Sequence, residues 1–292
     1  MPLEIFIVIA RVVFSTMANV FQKQLTHQHF HPFFVVMASY LVLGLLSIPL
    51  LPLVNFQQIP TDFWPAIMAA AALDMAGTLF LVMSLSKTDL SVFGPLNAYK
   101  VVISMLLAIV FLGEIPSLQG FAGVAIILLG SFLLFPPGTK KQQTRLSDLF
   151  LHRGVQYRFL SILLFSIGTL PLKTAVTLAD PLSTTLFWCL FGIPLAVASH
   201  QLWIKQPFDQ QLAQTKNHIT RLIYLGTMIF LMQYMTMLVL SKMIIAYSLA
   251  LFQLSMVLHV FLGYRIFKEQ HIQRRLFACL IIVTGSITVL YS

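Results

Sequence analysis

The sequence predicts an all-α integral membrane protein with ten transmembrane helices, arranged as two inverted five-helix repeats. Three observations support this prediction: the composition, the recurrence of long apolar segments, and a similarity between the two halves of the chain. Of the 292 residues, 58% are hydrophobic and 9% are charged, whereas soluble domains carry about 45–50% apolar and about 25% charged residues. A signal peptide does not account for this composition, because the apolar segments recur along the whole chain.

Each predicted span is an apolar segment of about the length that crosses a bilayer, roughly 20 residues in a helix. Backbone polar groups in lipid must be satisfied within the segment, so each segment is expected to be helical. The ten segments are residues 4–25, 32–52, 63–86, 90–112, 119–135, 158–178, 183–203, 219–241, 245–266 and 273–291.

A basic loop divides these segments into two groups of five. We predict a first repeat over residues 1–135, a connecting loop over residues 136–157 and a second repeat over residues 158–292. Because each copy holds an odd number of spans, the second copy is expected to lie upside down relative to the first, as in many secondary transporters.

The two halves resemble each other at polar positions. Aligning Glu114 with Glu269 also aligns Leu85-Ser86-Lys87 with Leu240-Ser241-Lys242. Chance similarity between apolar sequences is the alternative interpretation. The shared polar positions favour a true repeat, with a solute site at the midplane between the halves.

Basic residues are concentrated in the loops that follow the odd-numbered spans. These loops hold fourteen of them: Lys23, Lys87, Lys140, Lys141, Arg145, Arg153, Arg158, Lys205, Lys216, Arg221, Arg265, Lys268, Arg274 and Arg275. The opposite side holds Lys242, with Lys173 close by. We predict a protein of the cell membrane, which in a bacterium is the inner membrane. Since loops rich in Lys and Arg stay in the cytoplasm, both termini are expected outside.

Four ionisable side chains fall well inside the spans: Arg11, Asp74, Lys100 and Lys173. Such groups cost about 2.5 to more than 10 kcal/mol each at the bilayer centre, so they are functional candidates. Asp74 and Lys100 lie nearest the middle of neighbouring helices, which predicts an ion pair lining a cavity, with Asp74 as a proton-coupling site. A purely structural link between two helices is the alternative for this pair. Snorkelling to the headgroups is the alternative for Arg11 and Lys173.

Polar stripes add further candidates for a substrate-binding or coupling site. Asn19 and Gln22 follow Arg11 along one face of the first span, and Thr169 precedes Lys173 on the sixth. The other candidates are Asn97, Tyr234, Gln253 and His259. The four charges sum to +2 and favour an anionic or zwitterionic solute.

Other features are weaker. His27, His29 and His31 alternate as metal ligands do, but a run in one loop favours solvated surface. Cys189 and Cys279 lie in apolar segments and are interpreted as small hydrophobes. The small faces of the fifth and tenth spans fit either an internal helix contact or a homodimer interface. They consist of Gly123, Gly130, Ala278 and Gly285.

A further pattern combines three features of the first half: the Leu112-Gly113-Glu114 turn, the glycines that follow it, and the end of the first span, Asn19-Val20-Phe21-Gln22-Lys23. Together with residues 89–134, this pattern resembles the EamA repeat of the drug/metabolite transporter superfamily. Lys268-Glu269 replaces Gly-Glu in the second half, and Val101 and Met256 stand where the family usually has proline.

The resemblance implies a ten-helix transporter with a central cavity lined by the first, third, fourth, sixth, eighth and ninth spans. Members move metabolites, amino acids, sugars or drugs. Many members have both termini in the cytoplasm, which the charge count of this sequence contradicts.

The predicted function is secondary active export of small organic metabolites, by alternating access around the midplane cavity. A lipid flippase and a membrane scaffold without transport are the alternatives. Nucleic-acid binding is excluded because the basic residues form no patch. An intramembrane enzyme is excluded because the sequence has no His-Glu-x-x-His motif and no second aspartate at bilayer depth. The expected partners are the solute, the lipid bilayer and a possible second copy of the chain, with no cofactor.

Overall fold

The computed structural model describes residues 2–28, 30–87, 90–133, 152–204, 218–267 and 272–291. Every regular element in these ranges is a helix. Most of the predicted connecting loop lies outside the described residues, as do His29 and the Lys268-Glu269 pair.

Eleven α-helices occur in the described ranges. They are α1 (Pro2–His27), α2 (Pro32–Ser47), α3 (Phe63–Leu85), α4 (Leu90–Leu112), α5 (Leu118–Leu133), α6 (Arg153–Leu178), α7 (Pro181–Trp203), α8 (Ile219–Leu240), α9 (Ile245–Phe252), α10 (Ser255–Phe267) and α11 (Ile272–Leu290). A 3₁₀ helix, Ile48–Leu53, continues α2 where two prolines prevent regular α-helical hydrogen bonding.

Seven of the described helical segments are long and apolar enough to cross a membrane: α1, α2 with its 3₁₀ continuation, α3, α6, α7, α8 and the α9–α10 segment. Shorter apolar stretches lie in α4, α5 and α11, at Tyr99–Leu112, Leu118–Gly130 and Leu276–Val289. The predicted all-α membrane fold is confirmed. Ten crossings and an inverted repeat stay predictions.

The ninth predicted segment, residues 245–266, is not one continuous helix. It is interrupted at Gln253 and Leu254, between α9 and α10. Tighter bonds span the interruption, since Met256 N–H donates to the carbonyl of Gln253 at 2.9 Å and Val257 N–H to that of Leu254 at 3.1 Å. Interrupted helices are typical of transporter binding sites.

Helix α6 begins five residues before the predicted start of the sixth span. His152 is its N-cap, and the His152 ring nitrogen Nδ1 accepts the backbone N–H of Gly154 at 3.2 Å. Arg158, which the sequence assigned to the end of a basic loop, is therefore inside a helix, where it is 6% exposed. Arg158 is therefore removed from the fourteen basic loop residues on which the predicted orientation rests.

The small faces of α5 and α11 pack against each other. A Cβ atom on Gly123 would lie 3.0 Å from the carbonyl oxygen of Gly285, and one on Gly285 would lie 2.9 Å from that of Gly123. Close backbone approach of this kind requires glycine, as at other membrane helix contacts. These glycines therefore serve an internal contact, which decides between the two interpretations of the sequence.

Candidate functional site

A cavity of about 170 Å³ lies among helices of both halves. Nine of the eleven predicted site residues line it: Arg11, Asn19, Gln22, Asp74, Asn97, Lys100, Thr169, Gln253 and His259. Lys173 and Tyr234 are outside the lining, and Gln233 lines the cavity beside Tyr234. Helix α7, which the family resemblance did not include, contributes Trp188.

Asp74 lies near the middle of α3 and is 6% exposed. The indole Nε1 of Trp188 on α7 donates to its Oδ2 at 3.0 Å. Gly168 on α6 packs directly against this carboxylate, because a Cβ atom at that position would lie 2.9 Å from Oδ1. Asp74 is thus held between α6 and α7. The hydrogen bond from Trp188 fixes the orientation of its carboxylate, which lines the cavity.

Lys100 does not form the predicted ion pair with Asp74. Both side chains are described, yet no salt bridge joins them, and the Lys100 ammonium lies over the ring of Phe165 at 4.8 Å from its centroid. The physical reason is that each charge has another partner: a cation–π contact for the lysine, and the Trp188 N–H for the aspartate. The two opposite charges face one cavity without direct contact.

Arg11 on α1 points into the same cavity. Its Nε donates to the Thr236 hydroxyl on α8 at 3.3 Å. Its guanidinium carbon lies 3.8 Å from the centroid of the Phe252 ring, at the end of α9. These interior contacts argue against the snorkelling alternative for this residue.

Arg158, Asn97 and Gln253 form a polar cluster that joins three helices. Arg158 donates to Asn97 Oδ1 and, at 3.3 Å, to the Ser161 hydroxyl. The amide of Gln253, at the interruption between α9 and α10, donates to the Asn97 backbone carbonyl at 3.1 Å. Arg158 is not among the site residues predicted from the sequence, although it lies eleven residues, or about three helical turns, before Thr169 on the same face of the sixth span.

His259 on α10 contacts Asn19 on α1, with 3.2 Å between the ring Nε2 and the amide Nδ2. This contact joins the first and ninth predicted spans at the cavity wall. Elsewhere, the described part of the chain has no group of three His, Cys, Asp or Glu side chains that could hold a metal ion.

Lys173 lies in the last turns of α6 and is not part of the cavity lining. Its ammonium lies 3.4 Å from Glu114 Oε1 and donates to the carbonyls of Leu240 at 2.6 Å and Met243 at 2.8 Å. The other oxygen of Glu114 accepts the backbone N–H of Ile245, the first residue of α9, at 2.6 Å. These contacts link the turn after α4 to the ends of three helices from the other half.

Gly113 explains how Glu114 reaches this position. Its φ of +67° lies in the left-handed region that favours glycine, and it directly follows the end of α4. Such a residue reverses the chain direction after a helix. The Leu112-Gly113-Glu114 pattern in the sequence therefore corresponds to a turn that presents an acid to the opposite half.

The ionisable groups that line the described cavity give it a net positive charge. Arg11, Lys100 and Arg158 are cationic, and Asp74 is the one carboxylate of the described lining. The sum of +2 equals the sum expected from the sequence, with Arg158 in place of Lys173.

Comparisons with known proteins agree with this architecture. Residues 2–135 match the EamA-like transporter family. No curated protein is significantly similar in sequence. A crystal structure described only as that of a protein has a TM-score of 0.70 with this chain at 14% identity, over 100% of this chain and 97% of the other. At that identity the likeness shows a shared fold alone. The resemblance predicted from the sequence is thus confirmed over residues 2–135, slightly less than half of the chain, for a family that belongs to the drug/metabolite transporter superfamily.

Proposed function

We propose that this protein is a secondary active transporter that exports small anionic or zwitterionic metabolites by alternating access around the central cavity. The observation that supports the proposal is the cavity's composition: three cationic side chains and one carboxylate, on helices from both halves of the chain. Intramembrane charges usually mark the path of a solute or an ion. An excess of two positive charges attracts a solute that carries negative charge.

The size of the cavity favours a small metabolite. Its volume of about 170 Å³ is below the roughly 300–1,000 Å³ of pockets that enclose drug-sized ligands. A solute of a few carbon atoms with one or two charged groups fits this space. A large apolar drug does not fit without rearrangement of the helices.

Asp74 is the proposed coupling site for protons. It is a buried carboxylate with one protein donor, Trp188, and a cation, Lys100, that faces the same cavity without contacting it. Protonation of Asp74 would remove the negative charge of its carboxylate. The Lys100 ammonium would then be available to bind the solute. Because protonation changes the net charge of the cavity in which the solute binds, proton binding and solute binding are thermodynamically linked.

A metabolite screen tests transport directly. Cells that overproduce the protein are expected to release one or a few charged metabolites, and the purified protein in proteoliposomes is expected to move the same compounds. Movement of a headgroup-labelled lipid in place of these solutes would contradict the proposal in favour of a flippase. Absence of both activities would favour a scaffold.

Replacement of Arg158 by glutamine is expected to reduce transport of the released solute by at least about tenfold. This is the effect of losing roughly 1.4 kcal/mol of binding or transition-state stabilisation, as expected when a charge-assisted contact in a cavity is removed. Initial rates in proteoliposomes measure the change. Arg153→Gln is the matched control, because Arg153 is exposed and lies five residues earlier on the same helix. Equal losses in both variants would contradict a site role for Arg158.

We also propose that all ten predicted segments cross the bilayer as two inverted repeats, with both termini outside the cell. Each segment coincides with a described helix or with the α9–α10 pair. The two native cysteines are buried, so a cysteine introduced at Leu3, which is 61% exposed, reports its own location. We expect an impermeant maleimide to label Leu3→Cys in intact cells. Labelling only after the cells are opened would place the N-terminus inside.

A further inference from the structure

The terminal nitrogens of Arg11 are the feature that carries a further inference. Arg11 uses Nε for its hydrogen bond to Thr236 and one face of its guanidinium for the Phe252 ring. Within the described chain, the two terminal amino groups have no hydrogen-bond acceptor, although they belong to a residue that lines the cavity. These two groups carry four coplanar N–H donors, of which two, one from each nitrogen, lie side by side on the terminal edge and are available to a partner.

No carboxylate of the described residues is placed to neutralise Arg11. Asp74, on the same cavity, accepts the Trp188 N–H and forms no salt bridge with Arg11. Arg11 is partly buried, and its terminal nitrogens are not among the fully buried atoms of the described chain, so they are accessible from the cavity that this residue lines. The partner of this edge is therefore expected to enter from the cavity.

The two contacts that Arg11 does make fix its orientation. The Phe252 ring, 3.8 Å below the guanidinium carbon, holds the plane of the group by a cation–π contact and stacking. The Thr236 hydroxyl at 3.3 Å fixes rotation within that plane. A guanidinium oriented in advance loses less entropy when it binds a ligand.

We infer that the terminal edge of Arg11 binds a carboxylate of the transported solute through two parallel hydrogen bonds, with Phe252 and Thr236 as positioning residues. The inference rests on the proposed function and names the chemical group of its substrate. A planar edge with paired donors matches the two oxygens of a carboxylate. A point charge such as an ammonium lacks this geometry.

The test measures binding without transport. Thermal unfolding of the purified full-length protein in detergent is recorded with small carboxylates and their primary amides at equal concentration: acetate with acetamide, and alanine with alaninamide. Inorganic phosphate is a separate arm. We expect at least one carboxylate to stabilise the protein and its amide not to do so. Stabilisation by the amide alone, by phosphate alone or by no compound would overturn the inference.

The variants identify the binding group. Arg11→Lys keeps the charge and removes the paired donors, so the dissociation constant of the stabilising carboxylate is expected to rise about tenfold or more. Phe252→Leu is expected to weaken binding, and Phe252→Tyr, which keeps the ring face, to restore most of it. Unchanged affinity in Arg11→Lys would overturn the inference. So would equal affinities of the two Phe252 variants.

A third variant keeps the test decisive where Arg11→Lys does not fold. Thr236→Val is isosteric and removes the acceptor of Nε, so it is expected to raise the dissociation constant by about three- to tenfold. Thr227→Val is its control on the same helix, because the Thr227 hydroxyl donates only to the carbonyl of Ile223 on its own helix. Equal affinities of these two variants would overturn the role of Thr236. Because binding is read by unfolding, a carboxylate that binds but is not moved by proteoliposomes would refute the proposed transport alone.

Discussion

Replacement of Asp74 by asparagine is expected to reduce strongly the solute accumulation driven by a pH gradient and to leave exchange of the solute across the membrane. Asparagine cannot carry the negative charge or the coupled proton, but its side-chain oxygen can still accept the Trp188 N–H that the carboxylate accepts at 3.0 Å. The fold around α3 and α7 is therefore expected to persist. The expected loss of gradient-driven accumulation is at least about tenfold, equivalent to about 1.4 kcal/mol in the coupled step.

Two measurements on the same proteoliposomes separate coupling from binding. The first is accumulation of labelled solute with an imposed pH gradient, and the second is exchange of labelled for unlabelled solute without a gradient. Asp62→Asn is the matched control, because Asp62 is exposed at the start of the same helix and its side chain forms no capping hydrogen bond. Full gradient-driven accumulation by Asp74→Asn would refute a coupling role. Loss of exchange as well would assign Asp74 to solute binding instead.

The positions of the helices were predictable because lipid imposes one strong requirement. A segment must be apolar over roughly 20 residues and must satisfy its own backbone, and this requirement leaves a clear signal in the sequence. The prediction of residues 219–241 thus differs by one residue from the observed Ile219–Leu240. The interruption in the ninth segment left no such signal, because neither glycine nor proline stands at Gln253 or Leu254.

Arg158 shows how a helix boundary affects a functional assignment. The sequence placed it in a basic loop because Arg and Lys near the end of an apolar segment usually belong to the flanking region. The helix starts earlier, with His152 as its N-cap, and histidine is not among the residues that usually signal a helix start. Without that boundary, a buried cavity residue and a loop residue look alike.

The partners of the predicted charges were beyond the reach of the sequence. Trp188 is 114 positions from Asp74 along the chain, and an aromatic residue in an apolar span carries no sign of the direction it faces. The same holds for Phe165 and Phe252, which contact Lys100 and Arg11. Positions near the middle of neighbouring helices suggested that Asp74 and Lys100 would pair. Helix rotation decides contact, however, and rotation depends on packing with distant segments.

The second large effect is expected at the Lys173–Glu114 ion pair. Its side chains are 13% and 12% exposed, so replacing one partner leaves a largely buried charge without its counterion. Lys173→Met is expected to lower the free energy of unfolding by about 3–5 kcal/mol, the usual cost of breaking a buried pair. The loss also deprives the carbonyls of Leu240 and Met243 of their shared donor.

Glu114→Gln is expected to cost less than Lys173→Met. A glutamine oxygen can still accept the N–H of Ile245, which Glu114 binds at 2.6 Å, and the lysine keeps two carbonyl acceptors. The double variant Lys173→Met with Glu114→Gln removes both charges together. Its loss of stability is therefore expected to be smaller than the sum of the two single losses, as in other buried pairs whose members interact directly.

Thermal unfolding in detergent, followed with a thiol-reactive dye, measures these differences. The buried Cys189 and Cys279 serve as reporters, because the dye reaches them only when the helices separate. Lys242→Met is the matched control: Lys242 is exposed in the turn after α8, one residue before Met243. If the two single losses add without interaction, the pair contributes nothing beyond its separate backbone contacts. A double loss clearly smaller than the sum would instead establish that this ion pair fastens the turn after α4 to the opposite half of the protein.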